Sequence, residues 1–491
     1  MSPYAQKPPR LTPAAQYALC ACVLVAQGMV AAVNLLIPQL VASPLHPSSS
    51  ELLWSVDAYV IVFAGLLIPA GALGDRFGRK GALLAGLGLF AAGAATSALA
   101  TVPAALIAGR GVCGAGAALI MPATMSLLIT LTPPARRSQA LATWTLAAGL
   151  GGLAGNVGGG LAGQFSTWRA LFWAMVPLAA LLALAVARLT PRSPERSDSA
   201  PDPLGSLLLV AALTALVYGI IEGPPQGWGS ARVLTAFGLG AVLLTVFTVH
   251  GLRAARPLLD PRIFASPVVR AGTLGIATAF FGLFALFYVN SQYLQYVKGF
   301  PVGLAGVAIV PLTVGMAVMP KFGARWQDRY GIRPVAGGGL AVIGLGLLLV
   351  STADGSTPYA LYAVYLLVIS AGTGLCAPAL TVAVVAGLPA HRSGLGSGLN
   401  TAAREIGAAL GVAVVGTVLA AGTGTEHGGA ARAAAFAPAM SDGLRVVAAV
   451  LLVATVFVVL GTSGRPRGAA QEARSGDAAE AGSVTRTGVS T

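Results

Sequence analysis

The chain has 491 residues, of which 56% are hydrophobic and only 9% charged, and its mean hydropathy is +0.80. That composition excludes a soluble globular domain and a disordered chain, and it points to a polytopic membrane protein. The net charge of +14 would suggest nucleic acid in a soluble protein, but here the basic residues are scattered through short loops without a patch or stripe, so no nucleic-acid partner is expected.

Fourteen apolar runs follow one another, at about 16–41, 52–73, 81–100, 104–131, 138–163, 169–189, 204–222, 231–251, 268–296, 302–320, 334–350, 358–383, 396–421 and 440–461. An α-helix needs about 20 residues to cross a hydrocarbon core about 30 Å thick. None of the runs alternates as a barrel strand does, and lipid leaves no backbone group unpaired, so all are read as helices. The predicted fold class is an all-α polytopic membrane protein. Residues 190–203 (TPRSPERSDSAPDP) read as a polar, proline-rich linker, and 462–491 as a disordered polar tail. The expected organisation is an N-terminal tail (1–15), a six-helix bundle (16–189), the linker (190–203), an inserted helix pair (204–251), a second six-helix bundle (252–461) and the tail.

Basic residues set the orientation. With both termini cytoplasmic, 24 of the 30 Lys and Arg lie inside and five outside (Arg169, Arg232, Lys298, Arg432 and Arg445), while Arg110 lies within a run. This is the bias that the positive-inside rule demands, and an odd error in the span count would scramble it.

The stretch GALGDRFGRK (71–80) puts an acid, two arginines and a lysine into a short loop between the second and third runs. A positive-inside cluster would account for Arg79 and Lys80. It does not account for Asp75 or for Gly71, Gly74 and Gly78, which allow close backbone approach. A related loop, DRYGIR (328–333), follows the tenth run. That run is the second of the last six, so the two loops are equivalent and the chain reads as six helices, an inserted pair and six more.

GALGDRFGRK resembles, at nearly every position, the signature between helices two and three of the major facilitator superfamily. Further stretches are similar to segments of its fourteen-helix drug/proton antiporter family (EmrB/QacA type): RGVCGAGAALIMPAT (110–124), GLGGLAGNVGGGL (149–161), WRALFWAMVP (168–177), IIEGPPQGW (220–228), PLLDPRIF (257–264), SQYLQ (291–295) and SGLGSGLNTAAREIGAALGVAVVGTV (393–418). The resemblance covers about 16–461. It implies that Asp75, Arg76, Arg79 and Lys80 latch two halves together in one conformation, with Asp328, Arg329 and Gly331 as their second-half counterpart. The departures are specific. Met29 stands where the family's first helix usually carries an aspartate, five residues before Asn34. Asn156 replaces a proline after Gly155, and Cys113 replaces a glutamine.

Charges inside a bilayer are costly unless paired or hydrated, so each is a functional candidate. Asp57 and Arg110 lie at similar depth and form a candidate coupled pair for proton transfer, or a purely structural ion pair. Glu405, beside Arg404, and Glu222, before GPPQGW, follow as proton-coupling candidates, with boundary solvation as the alternative for both. Gln27, Asn34 and Pro38 share one face of the first helix, either lining a cavity or bonding between helices. Asn156, Gln292, Gln295 and Asn400 complete the cavity candidates. Gly151, Gly155 and Gly159 lie at i, i+4 and i+8, a groove for another helix.

The predicted function is proton-coupled export of lipophilic, amphipathic small molecules, such as drugs or antibiotics, by alternating access at the plasma membrane. A facilitator-type importer or uniporter is the nearest alternative, favoured by the missing first-helix acid. A membrane-embedded enzyme or a non-transporting sensor is more distant, because His46, His250, His391 and His427 form no partner pattern. The cysteines Cys20, Cys22, Cys113 and Cys376 have no metal-ligand spacing, and no lysine sits in a Walker A loop. No metal, cofactor or ATP is expected.

Overall fold

Short polar caps fix where the apolar runs become helices. Thr12 accepts from the Ala15 amide at 3.2 Å, with Pro13 in the first turn, and starts α1 (Pro13–Leu35). Pro38 interrupts it, because proline supplies no amide and crowds the preceding turn, so a short α2 (Ile37–Val41) follows. A reciprocal capping box between Ser48 and Glu51 opens α3 (Ser49–Phe77). The remaining helices are α4 (Arg79–Ala98), α5 (Pro103–Leu131), α6 (Arg137–Phe165), α7 (Trp168–Leu189), α8 (Pro203–Gln226), α9 (Ala231–Arg253), α10 (Pro267–Gln292), α11 (Val302–Val307), α12 (Val310–Tyr330), α13 (Ile332–Val350), α14 (Tyr359–Ala386), α15 (Ser393–Thr423) and α16 (Gly429–Gly461). This computed structural model describes residues 11–133, 136–191, 202–255, 257–386, 393–423 and 429–462. Most of the expected 190–203 linker, residues 1–10 of the N-terminal tail and all of the C-terminal tail after residue 462 lie outside the described residues.

Thirteen helical segments are long and apolar enough to cross a membrane, with α10 and α11–α12 each carried through a local irregularity. The difference from the expected fourteen is α6, which has the length at 29 residues but is diluted by glycines and Asn156. Its glycines are used for packing. Added Cβ atoms on Gly151, Gly155 and Gly159 would strike Gln27, Gly28 and Ala32 of α1, so the expected groove is filled by that helix.

Two corrections concern the basic loops. The charged stretch expected as a loop at 75–80 is almost wholly helical, because only Gly78 separates α3 from α4. Likewise α12 runs ten residues past the expected limit of 320, with Gly331 alone before α13. Both glycines take a positive φ, +102° and +84°, that a side chain would resist. The repeat extends further. Gly86 and Gly93 lie eight and fifteen residues after Gly78, and Gly339 and Gly346 stand equally far from Gly331. All four press against the following helix: Gly86 and Gly93 meet α5, and Gly339 and Gly346 meet α14.

The two ends of the described chain meet one face. Leu11 donates to the Leu131 carbonyl at 3.0 Å, beside the α3–α4 junction, and Gly461 packs on Ala271 at the start of α10. We call this the basic face. At the opposite face α1, α3 and α6 touch the α10–α11 region and α15. Ser291 and Gln295 of the α10 region donate to the carbonyls of Asn34 and Leu35 at 2.7 and 2.9 Å. Gly160 and Gly163 of α6 pack on Val302, and Leu53 of α3 lies over Gly416 of α15. The core is closed at that end.

Candidate functional site

Arg110 is placed by the absence of side chains around it. Gly114 on the same helix brings α5 against the backbone of α3, where a Cβ would strike the Tyr59 carbonyl. The arginine is completely buried. Its Nε donates to the Ser55 carbonyl at 2.8 Å and one Nη to the Met29 carbonyl at 3.3 Å, while the guanidinium lies 4.5 Å from the centre of the Tyr59 ring. The Tyr59 hydroxyl in turn donates to Ala26 at 2.7 Å. One cation therefore ties α5 to α1 and α3, and a desolvated cation–π contact of this kind contributes about 2 kcal/mol. The other Nη has no hydrogen-bond partner among the described residues.

The expected pair of Asp57 with Arg110 does not form. Asp57 is equally buried, but neither carboxylate oxygen has a hydrogen-bond partner and no ion pair joins it to Arg110 among the described residues. Helical phase explains the correction. Ser55 and Tyr59 are one turn apart and face α5. Asp57 stands two residues from each, about 200° around the helix. Its neighbour one turn back is Leu53, which faces α15 at Gly416.

Glu405 belongs to the same seam. It is 2% exposed, and its Oε2 has no hydrogen-bond partner among the described residues. It lies eleven residues before Gly416, three turns, and so on the same face of α15. Because α3 runs toward the basic face and α15 away from it, Asp57 sits about 6 Å and Glu405 about 16 Å below the Leu53–Gly416 contact. Two buried carboxylates thus lie along one line of contact between the halves, about 10 Å apart along it. Arg404 turns elsewhere, 4.5 Å from the centre of the Phe280 ring. Glu222 is not on this seam. It accepts from Gln226 at 2.8 Å near the end of α8.

The cavity candidates divide by what already occupies them. Gln27 and Asn34 are buried, with the Gln27 Nε2 and both polar atoms of the Asn34 side chain lacking a hydrogen-bond partner among the described residues. Asn156 and Gln292 donate back to their own helices, to Gly152 at 2.8 Å and Tyr288 at 3.0 Å. Gln295 bridges the halves as described. Asn400 accepts from Thr381 of α14 at 3.1 Å, within the second half.

In the signature, Arg79 donates to the Thr130 hydroxyl of α5. Lys80 donates to the carbonyls of Ala187 and Thr190 at 2.7 and 2.6 Å, capping the negative end of α7. Arg76 lies over the Phe77 ring at 5.4 Å. All these partners belong to the first half, and the Asp75 side chain lies outside the described residues. Asp328 and Arg329 are exposed, Arg329 over the Tyr330 ring at 5.3 Å.

Sequence reasoning missed Tyr59, although a tyrosine two residues after an intramembrane acid in WSVDAY was a visible signal. It also missed a clasp at the basic face. Asp202 caps α8, accepting from the amides of Gly205 at 2.8 Å and Leu258 at 2.9 Å, and lies 2.9 Å from His250 Nε2. Burial pushes the Asp202 carboxyl up, but these amides and His250 outweigh it and hold the carboxyl below its ordinary range. No group of three or more metal-ligating side chains occurs among the described residues.

Residues 19–412 match the family model described as Major Facilitator Superfamily. The chain is 30% identical to the multidrug resistance protein Stp of Mycobacterium tuberculosis (strain CDC 1551 / Oshkosh), over 79% of this chain and 72% of that protein. It is 32% identical to the tetracenomycin C resistance and export protein of Streptomyces glaucescens, over 77% and 71%, and 33% identical to the methylenomycin A resistance protein of Streptomyces coelicolor (strain ATCC BAA-471 / A3(2) / M145), over 79% and 81%. Among solved structures, the fold is similar to a bacterial homologue of the human lysosomal transporter Spinster, with TM-score 0.66, 18% identity and coverage of 92% and 97%. It is also similar to a peptide transporter POT in complex with sulfate, with TM-score 0.66, 16% identity and coverage of 93% and 98%.

Proposed function

The chain belongs to the major facilitator superfamily, and from that premise we propose that it exports amphipathic drugs or antibiotics across the plasma membrane in exchange for protons. The relatives described above as resistance and export proteins support the substrate class. The basic face, which gathers the arginines and lysines, is the cytoplasmic one. The observation that carries proton coupling is the seam between α3 and α15, where Asp57 and Glu405 are buried without a full set of partners.

The mechanism follows from what such a carboxylate requires. As an anion in an apolar site it needs a partner, water or a proton. While the seam is closed, a proton satisfies it. When the halves rock apart at the opposite face, water enters and the site exchanges its proton with the outside. Arg110 is the fixed element: held by two carbonyls and a ring, it keeps α1, α3 and α5 together as one rigid body. The buried carboxylates of the seam make the proton gradient the driving force in this reading.

One observation favours a second reading, a uniporter. Arg110 reaches the Met29 carbonyl, at the position where the resemblance expects an acid, and finds only backbone there. Purified protein in proteoliposomes separates the two. Substrate-dependent proton movement is the expected result, and substrate flux without it would establish the uniporter and overturn coupling.

A further inference from the structure

Helices α8 and α9 lie side by side, closest where Gly219 meets Phe237 and Gly240 meets Leu216. Along that contact they leave an open groove of about 680 Å³. Its walls are small or apolar, with Ala211, Ala215 and Tyr218 on α8 and Thr235 and Leu243 on α9, and Arg232 stands at one end. The surrounding face of α9 presents Leu234, Val242 and Val246 outward, as a lipid-facing helix does.

Two further observations identify the occupant. From Arg232 to Leu243 is eleven residues, about 16 Å of helix, which matches one leaflet of a core about 30 Å thick. The groove is thus as long as one leaflet is deep, with its cation at the headgroup end. The other cations described at this face are already engaged: Arg169 by the carbonyls of Ala98 and Ala100 at 3.1 and 2.7 Å, Lys298 by those of Gly355 and Thr357 at 2.9 and 2.7 Å, and Arg445 by Asp442 at 3.5 Å. Arg232 has no hydrogen-bond or ion-pair partner among the described residues. Glu222, one turn beyond Tyr218, is taken by Gln226.

We propose that this groove binds one glycerophospholipid of the leaflet at that face, its phosphate on Arg232 and one acyl chain along the helix pair. In a bilayer an acyl chain gains little by leaving other chains, so shape and the arginine must provide selectivity. A guanidinium fork matches phosphate oxygens in geometry and charge. The site lies apart from the transport seam, but its wall is coupled to it: the Tyr218 ring packs 6.3 Å from that of Trp54, three residues before Asp57.

Native mass spectrometry of the full chain in mild detergent tests this, with phosphatidylglycerol and a diacylglycerol of the same chains as probes. Wild-type protein is expected to hold one phosphatidylglycerol tightly and to bind diacylglycerol more weakly. Arg232→Gln should weaken phosphatidylglycerol about fivefold, and Arg445→Gln should leave it unchanged. Equal binding by wild type and Arg232→Gln, or equal binding of the two probes, would overturn the proposal. A photo-cross-linking residue at Thr235, used in cell membranes, should capture phospholipid. Capture of a second copy of the chain, or of no lipid, would overturn it as well.

Discussion

Replacing Asp57 by Asn keeps the side-chain volume and removes only the ionisable group. Neither oxygen of Asp57 is hydrogen-bonded, so the substitution strands no partner, and the fold and Arg110 anchor are expected to persist. Its effect on transport is calculable. A proton moving down one pH unit supplies about 1.4 kcal/mol, which sustains a tenfold substrate gradient when one proton is exchanged per substrate. In everted vesicles held one unit more acidic inside, wild-type protein should accumulate substrate about tenfold. Asp57→Asn should bring this close to unity, while downhill exchange continues within about twofold of wild type, a stability-sized effect rather than a coupling one. Full tenfold accumulation by the variant at equal expression would refute the assignment and leave Glu405 as the remaining carboxylate of the seam.

Met29→Asp puts a carboxylate on the residue whose backbone carbonyl Arg110 already reaches; charge-assisted bonds contribute about 1.5–3 kcal/mol, so the variant is expected to melt higher than wild type, and the gain should vanish in an Arg110→Met background. Gly78→Ala meets no neighbouring atom but forces a side chain into positive φ, costing about 1–2 kcal/mol in unfolding measurements, with no change in the packing of α3 on α5. The Asp202 clasp is pH-dependent with a defined sign: its carboxyl is held below the ordinary value in the fold, so its stabilisation is complete above the unfolded carboxylate value and disappears as pH falls through the folded one. The protection factor of the Leu258 amide against hydrogen exchange, taken relative to its intrinsic rate at each pH, should therefore fall on strong acidification, and Asp202→Ala should lower it in the same way at neutral pH with a cost of about 1 kcal/mol.

What the sequence reveals depends on how local its physics is. Helix positions follow from apolar length and caps, so they are legible, and so is the duplication, because Gly78 and Gly331 mark the same backbone requirement twice. Burial was legible too: Asp57 and Arg110 are both fully buried. Their pairing was not. Depth along a helix is one coordinate and angle is another, and the angle at which α3 meets α5 is set by Gly114 pressing on Tyr59. Once that contact is fixed, the helical turn of α3 puts Asp57 on the side of Leu53, which meets Gly416 of α15, more than 300 residues away in sequence. The charges of the 75–80 stretch illustrate a second limit. Hydropathy ends a span where polar residues begin, whereas α3 and α12 continue as helices beyond the apolar region until a glycine stops them.

The inserted pair adds a constraint on how the seam can open. On one side α8 interlocks with α3, with Val210 seated over Gly65 and Tyr218 against Trp54. On the other it meets α15, where the Thr417 hydroxyl donates to the Ile220 carbonyl at 3.1 Å. Any motion that separates α3 from α15 forces α8 to leave one of them. The Thr417 bond is worth about 1 kcal/mol, and a freed hydroxyl can bond back to its own helix. The Val210 contact is a side chain fitted against backbone, which breaks only by opening a void. Opening at the face opposite the basic one is therefore expected to release α15 first and to leave α8 on α3. The Asp202–His250–Leu258 clasp, on the basic face, ties the start of α8 and the end of α9 to the segment that leads into α10, so it is expected to act as the pivot of that motion.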